Sequence, residues 1–202
     1  SENAVLVGLD GNDIIQSGYE DDLINGGKGN DEIYDNHGND TYVFNIGDGK
    51  DTIYDSSWGS NGKDLIAFGH GITQENLSVT RKDYNLVISI QNTQDSITIT
   101  DWYMGEQNKI ELITFSDGGT LSAVELQDMA VFIGTDGDDN LYGYELSDRF
   151  IGGKGNDILD GQDGNDTYIF NLGDGQDTIY DYSYSADNKD TISFGEGIQV
   201  DD

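Results

Sequence analysis

Cysteine and proline are both absent from this 202-residue chain, and basic residues are scarce, with 9 Lys and Arg against 40 Asp and Glu. Without cysteine no disulfide can staple the fold, whatever the compartment. Without proline there is no Asp-Pro bond at which the chain could cleave itself. The formal net charge of -31 opposes compaction, and it leaves few cations to meet nucleic-acid phosphates or an anionic membrane. No apolar run approaches the ~20 residues of a membrane span, and no secretory leader pattern opens the sequence. With two histidines and no His-Glu-x-x-His or Gly-x-Ser-x-Gly, neither a zinc-protease motif nor a lipase nucleophile elbow is present. Hydrophobic residues make up only 35%, thin for a conventional core, so the bare chain is expected to be largely disordered.

What the chain has instead is a beat of nine. Gly8 to Gln16, Ser17 to Asn25, Gly26 to Tyr34 and Asp35 to Val43 each place Asp sixth (Asp13, Asp22, Asp31, Asp40) and a large apolar or aromatic residue eighth (Ile15, Ile24, Ile33, Tyr42). After short slips the phase returns with Asp51 and Ile53, then with Asp64 and Ile66. Shifting the sequence by 126 residues lays it on itself without gaps, so a second block carries Asp139, Asp148, Asp157, Asp166, Asp177 and Asp190 at the sixth position. Its eighth positions are Leu141, Phe150, Leu159, Tyr168, Ile179 and Ile192. The chain is read as one full unit and most of a second from a longer array.

Each repeat follows Gly-Gly-x-Gly-x-Asp-x-U-x, where U is bulky. Glycines allow a tight turn with positive φ and inward carbonyls, and the short strand that follows points only its eighth residue inward. Two nonapeptides make one coil, so turns i and i+2 stack. Stacked strands lie about 4.8 Å apart, and neighbouring aspartates there repel by roughly 1 kcal/mol even in water. Hard oxygen donors from two stacked turns suit Ca²⁺ rather than Zn²⁺. Calcium would turn the repulsion into attraction and couple binding to folding.

Between the blocks the texture changes. Residues 77–80, 86–90, 97–100 and 110–115 read as β-strands in hairpins. Ser122-Ala123-Val124-Glu125 is a capping-box pattern that should open a short helix ending near Met129. The expected fold is all-β: two right-handed parallel β-roll (β-solenoid) blocks, 4–72 and 130–202, joined by a small antiparallel β-rich spacer, 73–129, with one short helix.

The stretches Gly26-Gly27-Lys28-Gly29-Asn30-Asp31, Gly152-Gly153-Lys154-Gly155-Asn156-Asp157 and Gly161-Gln162-Asp163-Gly164-Asn165-Asp166 resemble the RTX (haemolysin-type) calcium-binding nonapeptide family, whose repeat builds a parallel β-helix. The spacer, through Ile97-Thr98-Ile99-Thr100-Asp101-Trp102-Tyr103 and Ile110 to Phe115, is similar to the haemolysin-type calcium-binding related segment. The resemblance implies ligation by carbonyls of positions 1 and 3 and the sixth-position carboxylate of one turn. The turn two repeats on adds carbonyls of positions 2 and 4 and its own carboxylate. In this chain the implied sites are Gly8, Asp10 and Asp13 with Gly27, Gly29 and Asp31; Ser17, Tyr19 and Asp22 with Asn36, Gly38 and Asp40; and Gly26, Lys28 and Asp31 with Gly47, Gly49 and Asp51. The second block gives Gly134, Asp136 and Asp139 with Gly153, Gly155 and Asp157; Gly143, Glu145 and Asp148 with Gln162, Gly164 and Asp166; and Gly152, Lys154 and Asp157 with Gly173, Gly175 and Asp177. That is about three Ca²⁺ per block.

Departures from the pattern carry expectations of their own. Glu20 and Leu146 replace glycine at position 4, so their turns should be distorted. Inserts precede Asp64 and Asp190, which leaves their pairing with Asp40 and Asp166 open. The carboxylates of Asp10, Asp136 and Asp163 stand at position 3, where the family uses a carbonyl, and should be solvated. Trp58, Tyr182 and Tyr184 could form a sugar-binding ledge or cover the roll's edge. The resemblance implies export through a type I secretion machinery of a Gram-negative bacterium, to the exterior or the cell surface. The functional expectation is a monomeric, non-catalytic, calcium-dependent folding module of a large toxin or adhesin. The alternative is an adhesion module that binds a surface glycan; nucleic acid is not expected as a partner.

Overall fold

In the computed structural model, residues 2–56, 62–183 and 188–199 are described. They form two compact units, 1–129 and 130–202.

The first unit is a parallel β-roll. Its strands are β1 (Val5–Val7), β2 (Ile14–Gln16), β3 (Leu23–Asn25), β4 (Glu32–Asp35), β5 (Thr41–Phe44), β6 (Lys50–Asp55) and β7 (Leu65–Phe68). Odd strands stack in one sheet and even strands in the other. Each coil therefore crosses between sheets twice, once at each nonapeptide turn. The register keeps eighth positions on eighth positions: Ile15 lies on Ile33 and Ile33 on Ile53, while Ile24 lies on Tyr42 and Tyr42 on Ile66. Strands of three or four residues can point only one or two side chains inward, and Ile24, Ile33, Tyr42, Ile53 and Ile66 fill the interior.

The spacer belongs to this unit. Strands β8 (Leu77–Lys82), β9 (Asn85–Ile90) and β10 (Ser96–Ile99) form the expected antiparallel meander. β11 is shorter than the sequence pattern indicated (Leu112–Thr114), and it pairs antiparallel with an additional strand, β12 (Thr120–Ser122). β10 also runs parallel to β6, and β11 parallel to β7. The spacer thus supplies the next rung of both sheets before it folds back. Trp102, Leu86, Ile97 and Ile99 are buried within it. The helix α1 (Ala123–Met129) opens as the capping box requires. The Ser122 N–H donates to Glu125 Oε2 at 2.8 Å, and the Glu125 N–H donates to Ser122 Oγ at 3.3 Å.

The second unit repeats the roll with β13 (Phe132–Ile133), β14 (Asn140–Tyr142), β15 (Arg149–Ile151), β16 (Ile158–Asp160), β17 (Thr167–Phe170), β18 (Thr178–Tyr180) and β19 (Thr191–Phe194). It again splits into two parallel sheets. Phe132, Phe150 and Tyr168 stack face to face along its axis, with centroids 4.9 and 5.3 Å apart.

Candidate metal centre

The turns of each unit stack in two columns, one entering each sheet, and a ladder of carboxylates runs up both. Each sixth-position N–H donates to the Oδ1 of the sixth-position Asp one coil later. In one column Asp13 donates to Asp31 at 2.8 Å and Asp31 to Asp51 at 3.1 Å. In the other, Asp22 donates to Asp40 at 2.6 Å and Asp40 to Asp64 at 2.8 Å. The second unit repeats this: Asp139 to Asp157, Asp157 to Asp177, Asp148 to Asp166 and Asp166 to Asp190, at 2.8 to 3.2 Å. The ladder therefore continues past the inserts before Asp64 and Asp190, because Thr41 stays in register with Leu65 and Thr167 with Thr191.

This explains why an acid recurs at the sixth position, but it uses only one carboxylate oxygen. The fate of the other divides the turns. In the turns ending at Asp22, Asp139 and Asp148, Oδ2 accepts the second-position N–H of its own turn. The donors are Gly18 at 3.1 Å, Thr135 at 2.6 Å and Tyr144 at 2.8 Å. In the turns ending at Asp13, Asp31, Asp157 and Asp166, Oδ2 is buried and has no hydrogen-bond partner. These last four share a left-handed second residue: Leu9 (φ 84°), Gly27 (φ 93°), Gly153 (φ 94°) and Gln162 (φ 70°). A left-handed residue there reorients the adjoining peptide groups, consistent with the loss of the local donor. An ionised carboxylate oxygen buried without a donor is costly; a divalent cation is the partner that removes the cost. The residues present thus fit a hard, oxygen-ligated ion such as Ca²⁺.

The implied carbonyl donors are brought together as pairs of turns. A Cβ on Gly29 would collide with the Gly11 carbonyl and one on Gly155 with the Gly137 carbonyl, so the turns of Asp13 and Asp31, and of Asp139 and Asp157, lie directly on each other. Gly27 meets Leu9 and Gly153 meets Thr135 in the same way, while Gly8 and Gly134 lie against the carbonyls of Gly26 and Gly152. Gly38 rests on the Glu20 carbonyl, Gly164 on that of Leu146 and Gly143 on that of Gly161. Replacing the fourth-position glycine by Glu20 or Leu146 therefore leaves the stacking intact, although neither residue takes a positive φ. Gly49 and Gly175 pair with Gly29 and Gly155. Gly47 and Gly173 have open space where a Cβ would sit, so the two-residue slip carries them off the stack. The Lys28 carbonyl already accepts the Gly11 N–H at 2.6 Å, leaving one lone pair for an ion.

The Ser17 hydroxyl hydrogen-bonds Asp35, the Tyr19 ring packs edge-on against His37, and Asn36 donates its N–H to Asp35 at 2.8 Å. The side chains of Asp10 and Asp136 face solvent and the lysine one coil on, Lys28 at 3.9 Å and Lys154 at 2.8 Å. Asp163 accepts from Ser183 at 3.0 Å, and Glu145 lines a surface recess with Gln162 and Tyr182. Trp58 and Tyr184 lie outside the described residues, and Tyr182 is exposed.

Like charges stacked this closely perturb one another. Burial, with Asp35 and Asp64 adding repulsion, pushes Asp40 up to about 8. Burial beside Asp64 pushes Asp55 to about 9. Burial also raises Asp51 and Asp166 to about 7, and the repulsion of their ladder neighbours adds to it. Without a cation, the ladder holds protons that isolated carboxylates would release.

Two functional residues escaped the repeat pattern. Glu111 Oε2 accepts the Asp64 N–H at 2.7 Å, so a glutamate of the spacer forms the next rung of the ladder. Asp95 accepts the Gly47 and Gly49 N–H groups at 2.8 and 3.2 Å. Neither sits at a nonapeptide position. The signal that could have found them is an acid just before each spacer strand, since Asp95 precedes β10 and Glu111 precedes β11.

The sequence matches the family model of the RTX calcium-binding nonapeptide repeat (4 copies) at residues 1–32, 17–53, 133–168 and 142–179. Residues 85–124 match the haemolysin-type calcium binding protein related domain. A similar curated protein is the iron-regulated protein FrpA of Neisseria meningitidis serogroup C, 35% identical over 118 residues. That alignment spans 57% of this chain and 10% of FrpA. Among solved structures, the extracellular lipase LipA from Serratia marcescens matches 98% of this chain and 34% of its own at 21% identity, with a TM-score of 0.34.

Proposed function

Because this chain belongs to the RTX family of calcium-binding repeat proteins, we propose that it is a non-catalytic folding module of a larger secreted protein, ordered by calcium outside the cell. The observation that carries this reading is the set of buried, donorless Oδ2 atoms of Asp13, Asp31, Asp157 and Asp166. A net charge of -31 and interior side chains only one layer thick give the metal-free chain little reason to compact. In a calcium-poor cytosol it stays extended and suited to passage through a type I secretion channel. At extracellular calcium the ions bridge successive turns, and binding becomes folding free energy. The parent protein is a toxin or adhesin in this reading. The ions fall first to the turns with a left-handed second residue, where Asp31 and Asp157 hold donorless oxygens inside the ladder. Calcium titrated into metal-free protein, followed by far-UV circular dichroism, should convert a coil spectrum to a β spectrum. A coil spectrum that persists at millimolar calcium, or a β spectrum that survives excess chelator, defeats the proposal.

A further inference from the structure

At the insert-bearing turns the ladder meets acids that the nonapeptide pattern does not supply. Asp181 follows β18 and begins the long turn to Asp190, at the place where an ordinary repeat begins with glycine. Carboxylate oxygens of Asp166, Asp181 and Asp190 lie within 4.8 Å of one another. Asp166 is fully buried at 0% exposure, and its Oδ2 has no hydrogen-bond partner. That oxygen points over Gly161, where a Cβ would collide with both Asp166 Oδ2 and the Tyr168 hydroxyl. The Tyr168 hydroxyl in turn donates to Asp181 Oδ2 at 2.9 Å. Tyr168 thus holds Asp181 against the same space that Asp166 enters.

The first unit carries the same three acids 126 residues earlier in the sequence. Asp40, Asp55 and Asp64 occupy the equivalent positions, each no more than 4% exposed. Asp35, also buried, is an addition: it replaces the glycine found at position 161 and takes the Tyr42 hydroxyl at 2.9 Å.

We propose that each insert-bearing turn is a separate divalent-cation site made of side-chain carboxylates, Asp166, Asp181 and Asp190 in the second unit and Asp40, Asp55 and Asp64 in the first. Asp55 and Asp181 replace the backbone carbonyls that an undistorted glycine turn would offer. Three carboxylates give this site more negative charge than the two of an ordinary pair of turns, so it favours a hard ion of high charge, Ca²⁺ or a lanthanide. The site then does not depend on carbonyls from the insert, because side chains supply its ligands. The inference rests on the calcium-binding reading above and adds to it the ligands of one site per unit.

The test compares the full chain with its Asp55→Asn/Asp181→Asn variant, counting calcium by equilibrium dialysis and following the fold by circular dichroism. The variant should bind two fewer ions per chain at a calcium concentration that saturates the parent. An unchanged ion count with unchanged midpoints overturns the site, while a parent chain that binds no calcium overturns the broader reading instead. Terbium emission excited through tyrosine provides a second readout, because Tyr168 touches Asp181. Asp181→Asn alone should lower that emission and Asp181→Glu should retain it. Equal emission from the Asn and Glu variants would also overturn the site.

Discussion

The two units carry the same kinds of residue at the sixth and eighth repeat positions, yet their ends differ. Ile53, Ile66 and Phe68 are 1%, 0% and 4% exposed, whereas their counterparts Ile179, Ile192 and Phe194 are 37%, 53% and 55% exposed. The difference is made by the spacer. β10 and β11 add a rung above β6 and β7, and Phe115 stacks on Phe68 with centroids 5.6 Å apart. An eighth-position hydrophobe therefore states which way a side chain points, while the next coil decides whether it is buried. In a roll, burial is a nearest-neighbour property.

The sharpest way to break this comparison is to truncate the same position in both units. In calcium-saturated protein, Ile66→Ala should cost about 2–5 kcal/mol, the usual range for a buried isoleucine. Ile192→Ala should cost less than about 1 kcal/mol, because that side chain leaves little behind on removal. Hydrogen exchange resolved by strand would assign each loss to its unit. Equal losses would mean that the end of the second unit is covered in solution.

Next in size is a contrast between adjacent rungs. Asp157 has a donorless buried oxygen, while Asp139 is held by the Thr135 N–H and hydroxyl, at 2.6 and 2.7 Å. Asp157→Ala should raise the calcium midpoint of folding by roughly tenfold, a shift of about 1.4 kcal/mol, and Asp139→Ala by much less. In the first unit Asp31→Ala should likewise exceed Asp13→Ala, because Asp31 has ladder partners on both sides. Identical midpoints for Asp157→Ala and Asp139→Ala would separate the orphaned oxygens from metal binding, and identical midpoints for Asp31→Ala and Asp13→Ala would show that position in the ladder does not matter.

These contrasts show where the sequence was legible. The sixth-position acids and eighth-position hydrophobes could be read directly, since each is set by local turn and strand geometry. The split between self-capped and donorless turns was not, because it depends on the second residue's φ, and Leu9 and Gln162 adopt the left-handed form without being glycine. Pairing across the inserts could not be settled by counting residues, since the strand register restores what the turn length disturbs. Glu111 and Asp95 were harder to read for a further reason. Their roles arise only when β10 and β11 land in register on strands far back in the chain, and the local sign is no more than an acid just before each strand.

Protonation should distinguish the units more gently. Burial raises Asp40 to about 8, Asp55 to about 9 and Asp51 to about 7 in the first unit, and Asp166 to about 7 in the second. These folded values stand above the unfolded value of about 4. The metal-free fold therefore binds more protons than the coil, and its stability falls as pH rises from about 4 through about 9. Acidifying calcium-free protein within that window should promote β structure, with the first unit ordering at the higher pH. Calcium binding at neutral pH should release protons, measurable as a calorimetric heat that depends on the buffer's ionisation enthalpy. A metal-free spectrum that stays the same across this window, with no proton release, would remove carboxylate repulsion as the barrier to folding.

A last contrast comes from the join between roll and spacer. Glu111 accepts the Asp64 N–H at 2.7 Å, closing a ladder whose other rungs are aspartates. Glu111→Ala leaves a donor without its acceptor and should cost about 1–3 kcal/mol if water cannot replace it. Glu111→Gln keeps a carbonyl oxygen at the same reach and should cost less. It also removes a negative charge that burial and the neighbouring Asp64 already disfavour. In calcium-free protein, then, the glutamine variant should order at least as readily as the parent chain, whereas with calcium bound it should be the less stable of the two. Faster exchange of the Asp64 amide in the alanine variant, confined to residues 1–129, would locate the effect at this rung; exchange unchanged from the parent would show that the spacer caps the roll through its strands alone.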